Sequence, residues 1–449
     1  MTRDQLRSAC ARPDGEIALI ANSMRRNIIT MLEAAGTGHP GGSLSAADIM
    51  ATLYFSGVMG YDPSDPECAE RDRFVLSKGH IAPALYAVLA EVGYLTVEEL
   101  ATLRKLGSRL QGHPDCNLCP GVEVCTGSLG QGLSIAAGLA LGAKLDAADG
   151  GACGRVFALT GDGELQEGQN WEAIMFAAHR KLDNLVVIVD NNNLQIDGFV
   201  TDVCDVSPVA AKFEAFGWHA IACDGHDIAS VRAALEAAVA FDRRQDGQGQ
   251  GRLLHGEPRQ LARQRSVRRA GGRRVRRDRC GPRGASRRRE GGVRDMAKAT
   301  RAAFGETLVE LVDEGMDIMA VDADLAGSTT TAKLGKAYPD RLVDVGIAEQ
   351  NMIGVASGLA LTGRTVFTGF GTGRCWEQIR NTVCTSHLDV KVCPTHAGIT
   401  VGPDGETHQA LEDIALMRTL PGMRVLVPAD FASAKAAIRL AAKTPGPFY

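Results

Sequence analysis

The stretch Val156-Phe157-Ala158-Leu159-Thr160-Gly161-Asp162-Gly163-Glu164 decides the fold. Its first five residues are an apolar run of the kind buried in a parallel sheet. A glycine on each side of Asp162 lets the backbone come close to a ligand. The carboxylate then projects from the strand's carboxyl end, where open α/β sheets bind ligands. A second apolar run, Leu185-Val186-Val187-Ile188-Val189, ends in Asp190-Asn191-Asn192-Asn193. One carboxylate and one amide oxygen, from Asp162 and Asn192, suit a hard divalent ion that also holds a diphosphate. Three consecutive asparagines also suit a plain turn; the spacing to Asp162 tips the choice toward a metal.

Working outward, the 449 residues allow two or three domains. With 45% hydrophobic residues the chain can bury sizeable cores, and a net charge of −4 argues neither for nor against a charged partner. The absence of a long apolar run predicts no membrane span, and Met1-Thr2-Arg3-Asp4 lacks the apolar core of a signal peptide. The twelve cysteines are scattered, which we read as reduced thiols of a cytoplasmic protein. Cys116-Asn117-Leu118-Cys119, with Cys125 beyond, has the spacing of a metal clip. A structural zinc site wants four ligands and no second pair stands nearby, so loop cysteines are the reading preferred.

Hydrophobic periodicity predicts two modules. In the first, a helix around Trp171–Arg180 follows the metal motif. Strand 185–189, helix Val209–Phe216, strand His219–Cys223 and helix Ile228–Ala240 come next. In the second, helix 298–314 precedes strands at 318–321 and 342–345. Helix 348–361, strand 365–368, helix 375–386, strand 390–395, helix 407–419, strand 424–427 and helix 430–442 follow. Such alternation implies an α/β fold, each module a mainly parallel sheet flanked by helices.

Further motifs narrow the reading. Thr37-Gly38-His39-Pro40-Gly41-Gly42-Ser43, Leu76-Ser77-Lys78-Gly79-His80, Leu110-Gln111-Gly112-His113-Pro114 and Thr126-Gly127-Ser128-Leu129-Gly130-Gln131-Gly132 precede the metal motif. Gly346-Ile347-Ala348-Glu349-Gln350-Asn351-Met352, Thr395-His396-Ala397-Gly398 and Gly402-Pro403-Asp404-Gly405-Glu406-Thr407-His408-Gln409 follow it. The ensemble resembles transketolase, a thiamine diphosphate-dependent family, most of all its bacterial form made of separate N-terminal and C-terminal subunits. The likeness covers about residues 15–241 and 296–449.

The resemblance implies a diphosphate-binding domain over 1–241 and a pyrimidine-binding domain over 296–449, with a third domain and a phosphate-binding arginine expected beyond Tyr449. It implies thiamine diphosphate with Mg2+ or another divalent cation, held by Asp162, Asn192 and the carbonyl of Leu194. His80, Gly127, Leu129 and Gly163 match cofactor contacts, and Phe367 or Phe370, with Phe370 preferred, is the candidate for stacking on the pyrimidine. Glu349 matches the acid that promotes the imino tautomer of the cofactor; without the likeness, a helix-start glutamate satisfying the dipole would be the simpler reading. His39, His113, His396 and His408 match residues that bond sugar hydroxyls and move protons, and Asp404 one that reads the hydroxyl beside the carbonyl. Glu167 matches an acid linking paired sites across a dimer. The implied reaction moves a two-carbon glycolaldehyde unit from a ketose phosphate to an aldose phosphate. The implied assembly is a homodimer or a heterotetramer-like association of two modules, with neither nucleic acid nor membrane as partner.

The pattern breaks at 242–295, expected to be a disordered linker. From Arg243 to Arg294 there are 18 arginines, no lysine and four acidic residues, a charge of +14 that leaves −18 for the rest. A basic nucleic-acid-binding arm is one reading, but no aromatic residue stands ready to stack on bases. We prefer translation out of frame. A permitted codon choice for residues 248–264, read one base later, gives KGKGVSFMENRASWHG, which resembles a segment transketolases carry at this place. Met296 then reads as the natural start of a second subunit. The alternatives are another thiamine diphosphate synthase, such as 1-deoxyxylulose-5-phosphate synthase, or an inactive damaged gene product. The two Gly-His-Pro turns and Leu165-Gln166-Glu167-Gly168 favour transketolase over the former.

Overall fold

The computed structural model describes residues 1–148, 153–240, 252–256 (backbone), 298–369, 371–395, 397–399 and 409–449. The apolar runs form two parallel sheets. The first contains β1 (Arg73–Leu76), β2 (Val156–Gly161), β3 (Leu185–Asp190), β4 (His219–Cys223) and β5 (Arg252–Gly256), in the order β1-β2-β3-β5-β4. Every residue of β2 and β3 is buried, as continuous apolar runs in a sheet covered on both faces require. The second contains β6 (Ile318–Asp322), β7 (Leu342–Asp344), β8 (Thr365–Thr368) and β9 (Val390–Val392), in the order β9-β8-β6-β7.

Strand alternation sorts the side chains into three cores. Phe157, Leu159, Val186 and Ile188 face an outer core with helices Asp14–Ala35, Ala47–Phe55 and Ala82–Val92. Val156, Ala158, Val187 and Val189 face a middle core, which also receives Met319 and Val321 from β6. Ile318 and Ala320 face a third core with helices Thr300–Asp313 and Phe431–Lys443. The middle core therefore joins the two modules. At its centre helices Gly132–Ala148 and Glu349–Ala360 press together through small residues. A Cβ at Gly358 would lie 2.2 Å from the Ile135 carbonyl oxygen, and one at Gly138 2.3 Å from that of Val355.

Several expected elements differ. Residues 424–427 form no strand; Arg424 bridges Phe448, and the Leu426 N–H donates to the Tyr449 carbonyl at 2.8 Å. The segment alternates too briefly to form more than an edge contact. The helix expected at 407–419 is described only as Asp413–Arg418. The one expected at 375–386 starts as Trp376–Gln378 and continues as a π-helical turn, Ile379–Cys384. Within the segment expected to lack structure, Arg252–Gly256 pairs in parallel with both β3 and β4. Those two strands leave a slot one strand wide, and an unfilled slot would strand two rows of backbone hydrogen-bonding groups. The remainder of 242–295 lies outside the described residues.

Candidate active site

β2 and β3 end side by side, with Gly161 opposite Asp190. The Asp162 N–H continues the ladder, donating to the Asp190 carbonyl at 3.3 Å. Asp162 is 2% exposed. Its carboxylate accepts N–H bonds from Gly163 (2.9 Å) and Asn193 (2.6 Å). Burial nevertheless raises its pKa: two amide donors do not replace the lost water, and a facing cation would. The asparagine turn is held by Asn193 at φ 57°, a left-handed position that asparagine tolerates. The Asn192 Oδ1 accepts the Leu194 N–H at 2.9 Å and retains its second lone pair. The Asp162 carboxylate and the Asn192 amide oxygen thus stand at neighbouring strand ends, joined through the Asn193 and Leu194 N–H groups, and as hard oxygen donors they fit a divalent cation.

The histidine motifs converge on the same edge. His39 and His80 lie with ring centroids 5.2 Å apart. A Cβ at Gly127, whose φ is 154°, would sit 3.0 Å from the His113 ring, and one at Gly79 only 2.7 Å from the Gly127 nitrogen. Glycine is therefore required where these loops cross. Burial, reinforced by Lys78, His39 and His113, pushes the His80 pKa down to about 4. That of His113 is also lowered, by burial, Arg104 and His39. Leu129 is 40% exposed on the following turn. A cavity of about 410 Å³ opens beside His113 and Gly127, closed on its far side by Asn381 and Thr385 of the second module. The Thr126 hydroxyl at its wall is buried without a partner.

Sequence reasoning missed the residues that tie these clusters together. The Lys78 ammonium pairs with Asp190 at 2.5 Å, both side chains almost fully buried. The Ser45 hydroxyl donates to Asp190 at 2.8 Å and accepts from Asn192 at 3.4 Å. Asp190 is therefore a charge partner of Lys78 beside the asparagine turn rather than a free carboxylate. Glu164 accepts from Ser77 (2.5 Å), the Gly130 N–H (2.9 Å) and the Gly161 N–H (3.1 Å), fastening three loops to the end of β2. The signal for Lys78 and Glu164 was their place inside motifs already singled out; nothing local announced Ser45.

Glu349 opens its helix at 6% exposure. It pairs with Arg374 at 2.9 Å, and its charge helps to raise the pKa of Glu172, after burial. Neither partner belongs to the Asp162 cluster. Beside it, both side-chain amide atoms of Asn351 are buried without partners. Glu167 is exposed and immediately precedes helix Gly168–His179, with no side-chain bond to its first turn. Phe370, His396, Asp404 and His408 lie outside the described residues.

Comparison with known proteins bears directly on this arrangement. Residues 17–245 match the family described as "Transketolase, thiamine diphosphate binding domain". Residues 296–449 match "Transketolase, pyrimidine binding domain". Human transketolase is 38% identical over 457 aligned positions, covering 95% of this chain and 72% of that protein. A 6-deoxy-6-sulfo-D-fructose transketolase subunit of a Clostridium species is 44% identical over 218, covering 49% of this chain and 78% of that subunit. The fold matches that of Pichia stipitis transketolase, solved with sedoheptulose-7-phosphate, at a TM-score of 0.81 and 24% identity, covering 97% of this chain and 76% of that one. With both modules carried in one polypeptide, the chain belongs to the transketolase family.

Proposed function

We propose that this protein is a glycolaldehyde-transferring transketolase, moving a two-carbon unit from a ketose phosphate to an aldose phosphate with thiamine diphosphate and Mg2+. One observation carries the reading: an oxygen-donor turn at Asp162 and Asn192 shares a sheet edge with His39, His80 and His113, joined through Ser45, Lys78 and Asp190. Thiamine diphosphate, when bound, supplies the carbanion and the electron sink for ketose cleavage. Asp162, Asn192 and the Leu194 carbonyl are assigned to the cation that neutralises the diphosphate. His80, its pKa pushed down to about 4, is assigned to the cofactor, while His39 and His113 are assigned to the sugar; burial keeps the His113 ring uncharged at neutral pH, so it can accept a proton from a sugar hydroxyl and return it. Glu349 is assigned to the aminopyrimidine ring, and Asn351 offers unused polar atoms beside it. Phe370, His396, Asp404 and His408 are assigned to pyrimidine stacking and to the sugar.

The partners of Glu349 lie apart from the Asp162 cluster, which supports a dimer in which each copy lends its Glu349 to the other's site. A cytoplasmic location belongs to the same reading; no helix among the described residues is long and apolar enough to cross a membrane.

The test is label transfer. A ketose phosphate carrying 13C at its first two carbons is incubated with an aldose phosphate, the full chain, thiamine diphosphate and Mg2+. The expected product is a ketose phosphate two carbons longer than the acceptor aldose, labelled at its first two carbons, with ping-pong kinetics. Cofactor-saturated protein that leaves the label in the donor would refute the assignment.

A further inference from the structure

The loop between His113 and Gly127 carries chemistry that the proposed reaction does not use. It holds three cysteines, but the pair that meets is not the one the Cys-x-x-Cys spacing suggests. Cys119 is 2% exposed, with its sulfur turned to the Pro120 carbonyl. Instead the Cys116 and Cys125 sulfurs lie 3.5 Å apart. An Asp115 carboxylate oxygen stands 3.4 Å from the Cys125 sulfur, and the three ligand atoms all fall within 4.8 Å of one another.

Two of these edges, 3.5 and 3.4 Å, come within about 0.3 Å of those of a coordination tetrahedron. Tetrahedral zinc with bonds of about 2.3 Å to sulfur and about 2.1 Å to oxygen separates two sulfurs by about 3.8 Å and sulfur from oxygen by about 3.6 Å. A disulfide would require the sulfurs to close to about 2.05 Å. Outer groups already orient the donors, as metal sites need. The Cys116 N–H donates to the Cys125 sulfur at 3.4 Å. The Asn117 N–H and side-chain amide donate to the Asp115 carboxylate at 2.9 and 2.8 Å.

We propose that Asp115, Cys116 and Cys125 form a second metal site, for a thiophilic divalent cation of the Zn2+ class, with its fourth position open at the rim of the cavity. It is chemically separate from the oxygen-donor turn at Asp162 and independent of the catalytic reading. Asn117 donates to the Thr385 carbonyl at 2.9 Å, and the Cys125 N–H to the Ser386 hydroxyl at 3.2 Å. A bound ion would thus stiffen the loop carrying His113 and Gly127 against the second module.

The experiment uses the full chain, reduced and under argon, with excess Mg2+ to fill any oxygen-donor site, and Co2+ as the probe. Thiolate-to-cobalt charge-transfer absorption is expected to saturate at one equivalent and to be displaced by Zn2+. It should vanish in Cys116→Ser and in Cys125→Ser, persist in Cys119→Ser, and need at least about tenfold more Co2+ in Asp115→Ala. Because a variant can fail to fold, the unmodified chain is also alkylated with iodoacetamide and mapped by mass spectrometry. Zn2+ is expected to slow labelling of Cys116 and Cys125, but not of exposed Cys204. Absence of a charge-transfer band, a band surviving loss of both Cys116 and Cys125, or labelling unchanged by Zn2+ would overturn the proposal. So would a Cys116–Cys125 disulfide that persists in reductant.

Discussion

At the scale of residues, the site rests on charges taken out of water. Lys78 and Asp190 offset one another's burial, so removing one leaves the other uncompensated. Lys78→Met is expected to cost about 3–5 kcal/mol of stability in urea denaturation; a change below about 1 kcal/mol would mean the pair is solvated or dispensable. His80 gives a pH signature. Its pKa falls from an ordinary 6.5 to about 4, so the unfolded chain binds its proton first as pH drops. The stability it contributes is present above pH 6.5 and is lost as pH falls toward 4. NMR titration of its ring should give a midpoint near 4, and His80→Gln should flatten the stability slope in that window; a midpoint near 6.5 would contradict the burial described. The strand-end positions of Asp162 and Asn192 were legible because each follows an apolar strand in a short motif. Lys78 and Ser45 were not, since their partner Asp190 lies 112 and 145 positions away and only the fold brings them together.

At the scale of elements, strands were legible wherever both faces are buried. β2 and β3 are continuous apolar runs, and their observed ends agree with the sequence to within a residue. Legibility failed where an element depends on a distant neighbour. The Leu426 N–H donates to the distant Tyr449 carbonyl, and β5 occupies a slot defined by β3 and β4. The module junction was equally silent, because glycines in helices read as weak helix formers rather than as contacts. Gly358→Ala tests that contact. Its added methyl would meet backbone of the facing helix, so a loss of about 1–3 kcal/mol is expected. Gly15→Ala, whose Cβ meets nothing within 4 Å, should be neutral or slightly stabilising. Equal effects at both positions would show that the two helices do not bear on each other.

At the scale of the whole molecule, two parallel sheets share a middle core, and loops at one edge of the first sheet gather carboxylate, amide and imidazole groups. Family membership follows from matches over both modules; the chemistry follows from what that edge can hold. The central claim is that Asp162 and its neighbours retain thiamine diphosphate through a divalent ion, and calorimetric titration of the full chain with the cofactor tests it most directly. Saturable binding in Mg2+ that disappears in EDTA, and that Asp162→Ala weakens by at least about a hundredfold, is the predicted result. Binding of equal affinity with and without the ion, or unchanged in Asp162→Ala, would contradict it.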